Sequence, residues 1–233
     1  MSNLTQLKAD LRKLSDPQKA KLLQGFFKTG KGQYGEGDIF LGVKVPESRA
    51  VAKKYHDLSF EDIKTLLQSK IHEERLTALL LLVHLYQKNP DKKFVDFYLS
   101  NTKHINNWDL VDLTAHKIVG HYLENKPRDI LYKLARSKIL WERRISIIST
   151  FHFIRDRDFK DALALADILL NDEHDLMHKA VGWVLREIGK KDLKVEEGFL
   201  RKHYKKMPRT MLRYSIEKFP EDVRKKYLKG EFN

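Results

Sequence analysis

Each of the three tryptophans stands within one helical turn of a charged residue. Trp108 and Asp112 are spaced i, i+4 and share one side of a helix starting at Asn107. Both fall at the edge of an apolar stripe, so Asp112 is expected to be partly desolvated beside an aromatic ring, an odd place for a carboxylate without a partner. Trp141 and Arg144 are spaced i, i+3 within Leu140-Trp141-Glu142-Arg143-Arg144. Trp183 points away from the apolar stripe of its helix (Met177, Val181, Val184, Ile188) and shares the other side with Lys179 and Arg186. An indole on a basic face needs a reason, either packing against a neighbouring helix or a ligand. Taken jointly, two aromatics, one carboxylate and several cations describe a site for a cationic, planar group attached to an anionic backbone.

Other chemistries find little support. His174 and His178 are spaced i, i+4, but no HExxH string or third ligand accompanies them, so no metal site is expected. The chain has no cysteine, no GxSxG, no P-loop and no kinase set, and no cofactor is expected. Gly30-x-Gly32-x-x-Gly35 matches the dinucleotide-loop letters, but no strand precedes it. It reads as a flexible surface loop whose Lys31 and Tyr34 could touch a ligand.

Forty-five Lys and Arg against 32 Asp and Glu give a net charge of +13. The segment Arg201 to Gly230 alone carries +8, interleaved with Tyr204, Met207, Met211, Tyr214 and Phe219. That is a folded basic element rather than a tail, and it points to a polyanion, nucleic acid before membrane. The longest apolar stretch, Ala78 to Val83, is too short to span a bilayer, and Met1 to Asp10 lacks a secretory apolar region. A reducing, cytoplasmic home is expected, near the nucleoid if the cell is bacterial.

The elements that must position these residues all read as helix. Leu76, Leu79, Leu80, Val83 and Tyr86 recur at 3.6-residue spacing, as do Val111, Ala115, Ile118, Val119 and Tyr122. Only 11 Gly and 6 Pro among 233 residues argue against turn-rich sandwiches and barrels, and no convincing strand is found. Helix starts are marked by Ser15-Asp16-Pro17, Ser59-Phe60-Glu61-Asp62, Asn89-Pro90, Asn107 and Phe219-Pro220. Helix pairs beginning near Pro46, His72, Asn107, Leu140, Glu173 and Met207 recur at roughly 26 to 35 residues, near the period of helical repeats. The expectation is an all-α, HEAT-like solenoid of about 12–14 helices in antiparallel pairs, with a concave basic face. It forms one domain over 1–233, with N-terminal helices and the glycine-rich loop in 1–45 and about six repeats in 46–229. An irregular helical bundle is the alternative.

Asn107-Trp108-Asp109-Leu110-Val111-Asp112, Trp141-Glu142-Arg143-Arg144 and Lys179-Ala180-Val181-Gly182-Trp183-Val184-Leu185-Arg186-Glu187 closely resemble the bacterial alkylpurine DNA glycosylases of the AlkD type. Phe40-Leu41-Gly42-Val43 with Pro46-Glu47-Ser48-Arg49 is similar to that family's N-terminal repeat. The resemblance runs from about residue 15 to 228. It implies a HEAT-like solenoid that cups duplex DNA, and monofunctional excision of cationic N3- and N7-alkylated purines without a snug base-flipping pocket. It also implies that Asp112 is the catalytic carboxylate and that Trp108 and Trp183 pack against the lesion's backbone. Arg144 would lie near the lesion phosphate, Arg186 would contact phosphate, and Lys179 stands in the same string. The implied partner is alkylated double-stranded DNA, bound by a monomer with no membrane involvement. Asn107 departs from relatives that carry a second Trp there, and the glycine-rich loop at 30–37 looks longer. A non-catalytic DNA-binding module for damaged or branched DNA, or a protein-binding helical scaffold, are the competing expectations.

Overall fold

The computed structural model describes residues 2–231, which form two compact units that divide between Thr114 and Ala115. Among the described residues no strand occurs; the only extended pairing is an isolated parallel bridge between Ile39 and Ile71. The all-α expectation holds.

The first unit contains α1 (Asn3–Lys13), α2 (Pro17–Phe26), α3 (Val45–Lys54), α4 (Phe60–Leu67), α5 (His72–Lys88), α6 (Lys92–Ser100), a 3-10 turn (Thr102–His104) and α7 (Trp108–Asp112). Its starts are set by local chemistry. The Asp16 side chain accepts from the Lys19 amide at 3.0 Å, and Pro17 supplies the first helical φ without a wasted donor. Ser59 and Asp62 satisfy each other's amides in a capping box. Asn107 caps α7 by accepting from the Trp108 amide at 2.9 Å. The sixth helix starts two residues later than Asn89-Pro90 suggests, because the Asp91 carboxylate takes the cap by accepting from the Lys93 amide.

Helix α5 is the axle of this unit. It is buried on nearly every side, from His72 through Val83, and packs against α3 and α4. A helix buried all round needs little amphipathic character and pairs its charged residues internally. Glu73 does so with backbone: its carboxylate accepts from the amides of Leu41, Gly42 and Val43 at 2.9, 2.8 and 3.3 Å. Gly42 sits in the left-handed region (φ 85°), and a Cβ there would lie 2.2 Å from the Asp16 carbonyl oxygen. That clamp leads the chain out of the glycine-rich segment and into α3.

The second unit opens on a π-helical turn (His116–Gly120) and continues with α8 (Asp129–Ala135), α9 (Leu140–Ser149), α10 (Phe151–Arg155), α11 (Lys160–Ile168), α12 (Asp175–Lys191), α13 (Leu193–His203), α14 (Arg209–Ser215), a 3-10 turn (Ile216–Lys218) and α15 (Glu221–Lys229). Helix α12 plays the part that α5 plays in the first unit, packing on α9, α13 and α14. Gly182 permits the tightest of these approaches: a Cβ there would meet the Met211 carbonyl oxygen at 2.5 Å. In both units the observed pairs begin where the period places them, at Val45, His72, Trp108, Leu140, Asp175 and Arg209.

Candidate DNA-processing site

Trp108 and Asp112 are the first and last residues of α7, and both are half-buried. The indole face of Trp108 stacks on Phe27 (ring centroids 5.0 Å apart, planes 15° apart), and Phe26 meets it edge-on at 5.8 Å. Phe27 in turn stacks on Phe40 at 5.0 Å, and Phe40 on His72 at 4.4 Å. Four rings, Phe26 and Phe27 at the end of α2, Phe40 after the glycine-rich loop and His72 on α5, therefore back Trp108 from one side.

The base of that stack is charged. His72 is almost fully buried between two carboxylates, with Nε2 2.8 Å from Asp109 Oδ2 and Nδ1 3.5 Å from Asp38 Oδ2. Burial alone would discharge the imidazole. The Asp109 charge and hydrogen bond, aided by Asp38, prevail and push its pKa up to about 9. Asp38 also accepts from Arg75 Nη2 at 2.5 Å and from Asn106 Nδ2 at 3.0 Å. Burial would raise the Asp38 pKa, but the His72 hydrogen bond and the Arg75 charge hold it below the usual carboxylate range. Asn106 and Asp109 bracket the first residue of α7, so this network fixes the start of the helix that carries Trp108 and Asp112.

Asp112 itself lies close enough to the buried Tyr98 for its charge to matter. Burial pushes the Tyr98 phenol well above its ordinary pKa, and the Asp112 charge adds to the shift. The Tyr98 hydroxyl pairs with the Thr114 hydroxyl at 2.9 Å.

Beside the aromatic stack lies a cavity of about 430 Å³ bounded by Phe26, Phe27, Phe40, Val43 and Leu76, with Lys19 and Lys44 among its lining residues. The Phe26 ring and the neighbouring Leu22 are 62% and 74% exposed, an apolar lip on α2 next to Trp108. Phe26 and Phe27 belong to no motif of the sequence, and Phe40 stands there only as the first letter of Phe40-Leu41-Gly42-Val43. The adjacent Phe-Phe pair just before the glycine-rich segment was the available signal. That segment is a run of turns in which the Gly32 amide donates to Glu36 and the Gly30 amide to Gln33.

The remaining candidates belong to the second unit. Trp183 on α12 is half-buried, off the fully buried stripe of Met177, Val181, Val184 and Ile188. Its ring packs against Phe151 at 4.6 Å, and its Nε1 donates to Glu187 at 3.2 Å. Lys179 on the same helix pairs with Asp175 at 2.7 Å, and Arg186 pairs with Glu217. Arg144, on α9, is 4% exposed and donates to the Leu176 carbonyl in the first turn of α12 at 2.6 Å. Arg144 thus ties α9 to the helix bearing Trp183, while Trp141 is a core residue at 8% exposure. The two histidines at i, i+4 have local work: the His174 ring accepts from the Leu176 amide, and the His178 ring bonds the Asp172 carbonyl.

Residues 7–219 match the family described as DNA alkylation repair enzyme. The chain belongs to that family. Its helices follow those of a predicted DNA alkylation repair enzyme from Enterococcus faecalis at 17% identity, with a TM-score of 0.70 over 89% of this chain and 97% of that one. They also follow smu.31 from Streptococcus mutans UA159 at 18% identity, with a TM-score of 0.56 over 94% of this chain and all of that one. No curated protein matches the chain. The family assignment gives this protein a role in repair of alkylated DNA, and the likeness to the two solved structures shows a shared helical-repeat fold. Among the described residues no helix is long and apolar enough to cross a membrane.

Proposed function

We propose that this protein is a monofunctional DNA glycosylase that excises cationic N3- and N7-alkylated purines, such as 3-methyladenine and 7-methylguanine, from duplex DNA. The observation that carries the reading is α7: a half-exposed carboxylate, Asp112, one turn from an indole held rigidly by an aromatic stack. The strings around Trp108 and Asp112, Arg144 and Trp183 are those that resemble the AlkD-type enzymes, which supports the same reading.

An N3- or N7-alkylated purine already carries positive charge, so its glycosidic bond is weak. The C1′–N bond breaks, the base leaves as a neutral molecule with the bonding electrons, and the sugar becomes an oxocarbenium-like cation. Asp112 stabilises that cation; a carboxylate about 4 Å away contributes on the order of 4 kcal/mol at an effective dielectric near 20, before desolvation. Trp108 and Trp183 each add roughly 0.5 to 2 kcal/mol by cation–π contact. Water, oriented by Asp112 as carboxylates do in glycoside cleavage, then adds to C1′ and loses a proton to that carboxylate or to solvent. No strong general acid is required, because the leaving base needs no protonation.

Arg186 and Lys179 act in this reading as phosphate contacts; Arg144, held inside by the Leu176 carbonyl, lies near the lesion phosphate and fixes the first turn of the helix that bears Trp183. Arg186 and Lys179 exchange their present carboxylate partners for DNA, which a polyanion with many phosphates can achieve. The protein works as a monomer on double-stranded DNA, needs no cofactor, and grips the backbone in place of closing a tight pocket around a flipped base. The test is release of 7-methylguanine or 3-methyladenine from methylated duplex DNA. Retained duplex binding with no base release overturns the catalytic reading and leaves a binding-only protein.

A further inference from the structure

The two cations assigned to phosphate on α12 are both occupied by carboxylates, but in different ways. Lys179 pairs with Asp175 one turn back on its own helix, and both side chains are more than a third exposed. An i, i+4 pair on an open helix face is loosely held and readily exchanged. Arg186 is only 17% exposed, and its Nη1 donates to Glu217, which stands in the 3-10 turn after α14.

Helix packing makes this second pair a fixture. α12 and α14 lie against each other, and Gly182 lets them touch: a Cβ there would meet the Tyr214 Cβ at 2.6 Å. Arg186 is four residues beyond Gly182 and Glu217 is three beyond Tyr214, so the close approach carries along both elements to the ion pair. The Glu217 carboxylate also lies 3.1 Å from Lys218 Nζ. The Lys218 hydrogen bond and the Arg186 charge hold its pKa below the usual carboxylate range, against the effect of burial. Glu217 is therefore an anion at neutral pH, held where a phosphate would have to go.

We infer that Glu217 is a specificity-determining residue that competes with DNA phosphate for Arg186. The inference rests on the reading of Arg186 as a phosphate contact. A phosphate that reaches Arg186 must displace a carboxylate that the packing of α12 on α14 keeps in place, so the contact gains only the difference between two anions. Phosphates are present in every stretch of duplex. Removing the competitor therefore strengthens binding to damaged and undamaged DNA alike. Binding energy of that uniform kind lowers KM and does not speed the chemical step. Glu217 keeps undamaged duplex weakly held and leaves discrimination to the groups that act on the lesion itself.

The experiment is fluorescence anisotropy of the whole protein with a labelled undamaged duplex at fixed salt, for the unaltered protein, Glu217→Gln, Arg186→Gln and the double variant. Glu221→Gln is the control for loss of one negative charge, since Glu221 pairs with Arg224 on α15. E217Q is expected to bind the duplex about fivefold more tightly or better, and R186Q to bind it more weakly. In the R186Q background E217Q should give only a small part of that gain, and E221Q alone likewise. Single-turnover release of 7-methylguanine by E217Q at saturating protein should be unchanged. Thermal unfolding checks that E217Q is folded, the expected result for a carboxylate that is 45% exposed. The inference is overturned if E217Q binds the duplex no more tightly than the unaltered protein, or if its gain is matched by E221Q or persists in full without Arg186. Weaker binding by E217Q would also overturn it, making Glu217 a group that orients Arg186 for phosphate. R186Q that binds duplex as well as the unaltered protein defeats the phosphate reading, and the inference with it. Weakened R186Q beside an unchanged E217Q defeats the inference alone.

Discussion

His72 and Asp109 form a buried ion pair, Nε2 to Oδ2 at 2.8 Å, that joins the first turn of α5 to the first turn of α7. Asp109 lies between Trp108 and Asp112 in sequence, so the pair anchors the element on which both are mounted. The imidazole is protonated in the fold, with a pKa raised from 6.5 to about 9. A raised value means that the folded state holds the proton more tightly than the unfolded one. The stability this provides is present in full below about pH 6.5 and is lost as pH rises through about 9.

His72→Gln is expected to destabilise the protein by about 3–5 kcal/mol, the range for removing one partner of a buried pair. It is also expected to flatten the fall of the unfolding midpoint between pH 6.5 and 9. Urea unfolding of both proteins across that range checks this. Parallel pH profiles for the two would show that His72 is not the group responsible.

Asp112→Asn should keep the fold and duplex binding while lowering single-turnover release of 7-methylguanine by roughly 10²-fold or more, as for removal of one preorganised electrostatic group. Excision at the unaltered rate would remove this carboxylate from the mechanism.

Trp183→Ala and Trp141→Ala make a matched pair. Trp141 is a core residue and should cost about 3–5 kcal/mol on truncation. Trp183 is half-buried, rests on Phe151 and should cost less, while base release weakens. Equal losses in urea unfolding would make Trp183 a packing residue and nothing more.

Glu196, on α13, is buried, and its Oε1 has no hydrogen-bond partner. Burial pushes its pKa up to about 8, and the nearby Glu197 adds to the shift against the opposing charge of Arg186. Here too the fold retains a proton that the unfolded chain releases. Stability is full below about pH 4.5 and declines until about pH 8. Glu196→Gln should remove this slope, and thermal unfolding between pH 5 and 8 is the measurement. A slope unchanged in the variant would assign it elsewhere.

Substrate charge tests the mechanism without any substitution. 7-Methylguanine and 3-methyladenine should be released, and neutral uracil and 8-oxoguanine should not, since no group is proposed to protonate them. A small and a bulky N7-alkyl adduct in the same duplex should both be processed. Efficient uracil release would overturn the stabilisation argument, and exclusion of the bulky adduct alone would point to a closed base pocket.

The helical framework was legible because it follows from periodicity and capping, which are local. Ser59 with Asp62, Asp16 with Pro17, and Asn107 each mark a start that the coordinates reproduce. The place of Trp183 off the buried stripe was legible too, from its angle to Met177 and Val184. What holds Trp108 was not. Phe27, Phe40 and His72 come from separate elements, and His72 reads in sequence as one more polar residue at a helix start. The burial of Arg144 was not legible either: the Leu176 carbonyl that holds it inside lies on another helix. Pairings of that kind depend on distant segments meeting, and no spacing along one helix encodes them.

The grip of Glu73 on residues 41–43 has a consequence for how this protein can drift in sequence. A carboxylate that binds amides reads the path of the chain and is blind to the side chains along it. Leu41, which is only partly buried, can therefore be exchanged for residues of other shapes while the lead into α3 keeps its course. Gly42 has no such latitude, because the Asp16 carbonyl occupies the space any side chain would need. In distant homologues the glycine and the acid should persist together as a couple, even where the letters around them have become unrecognisable.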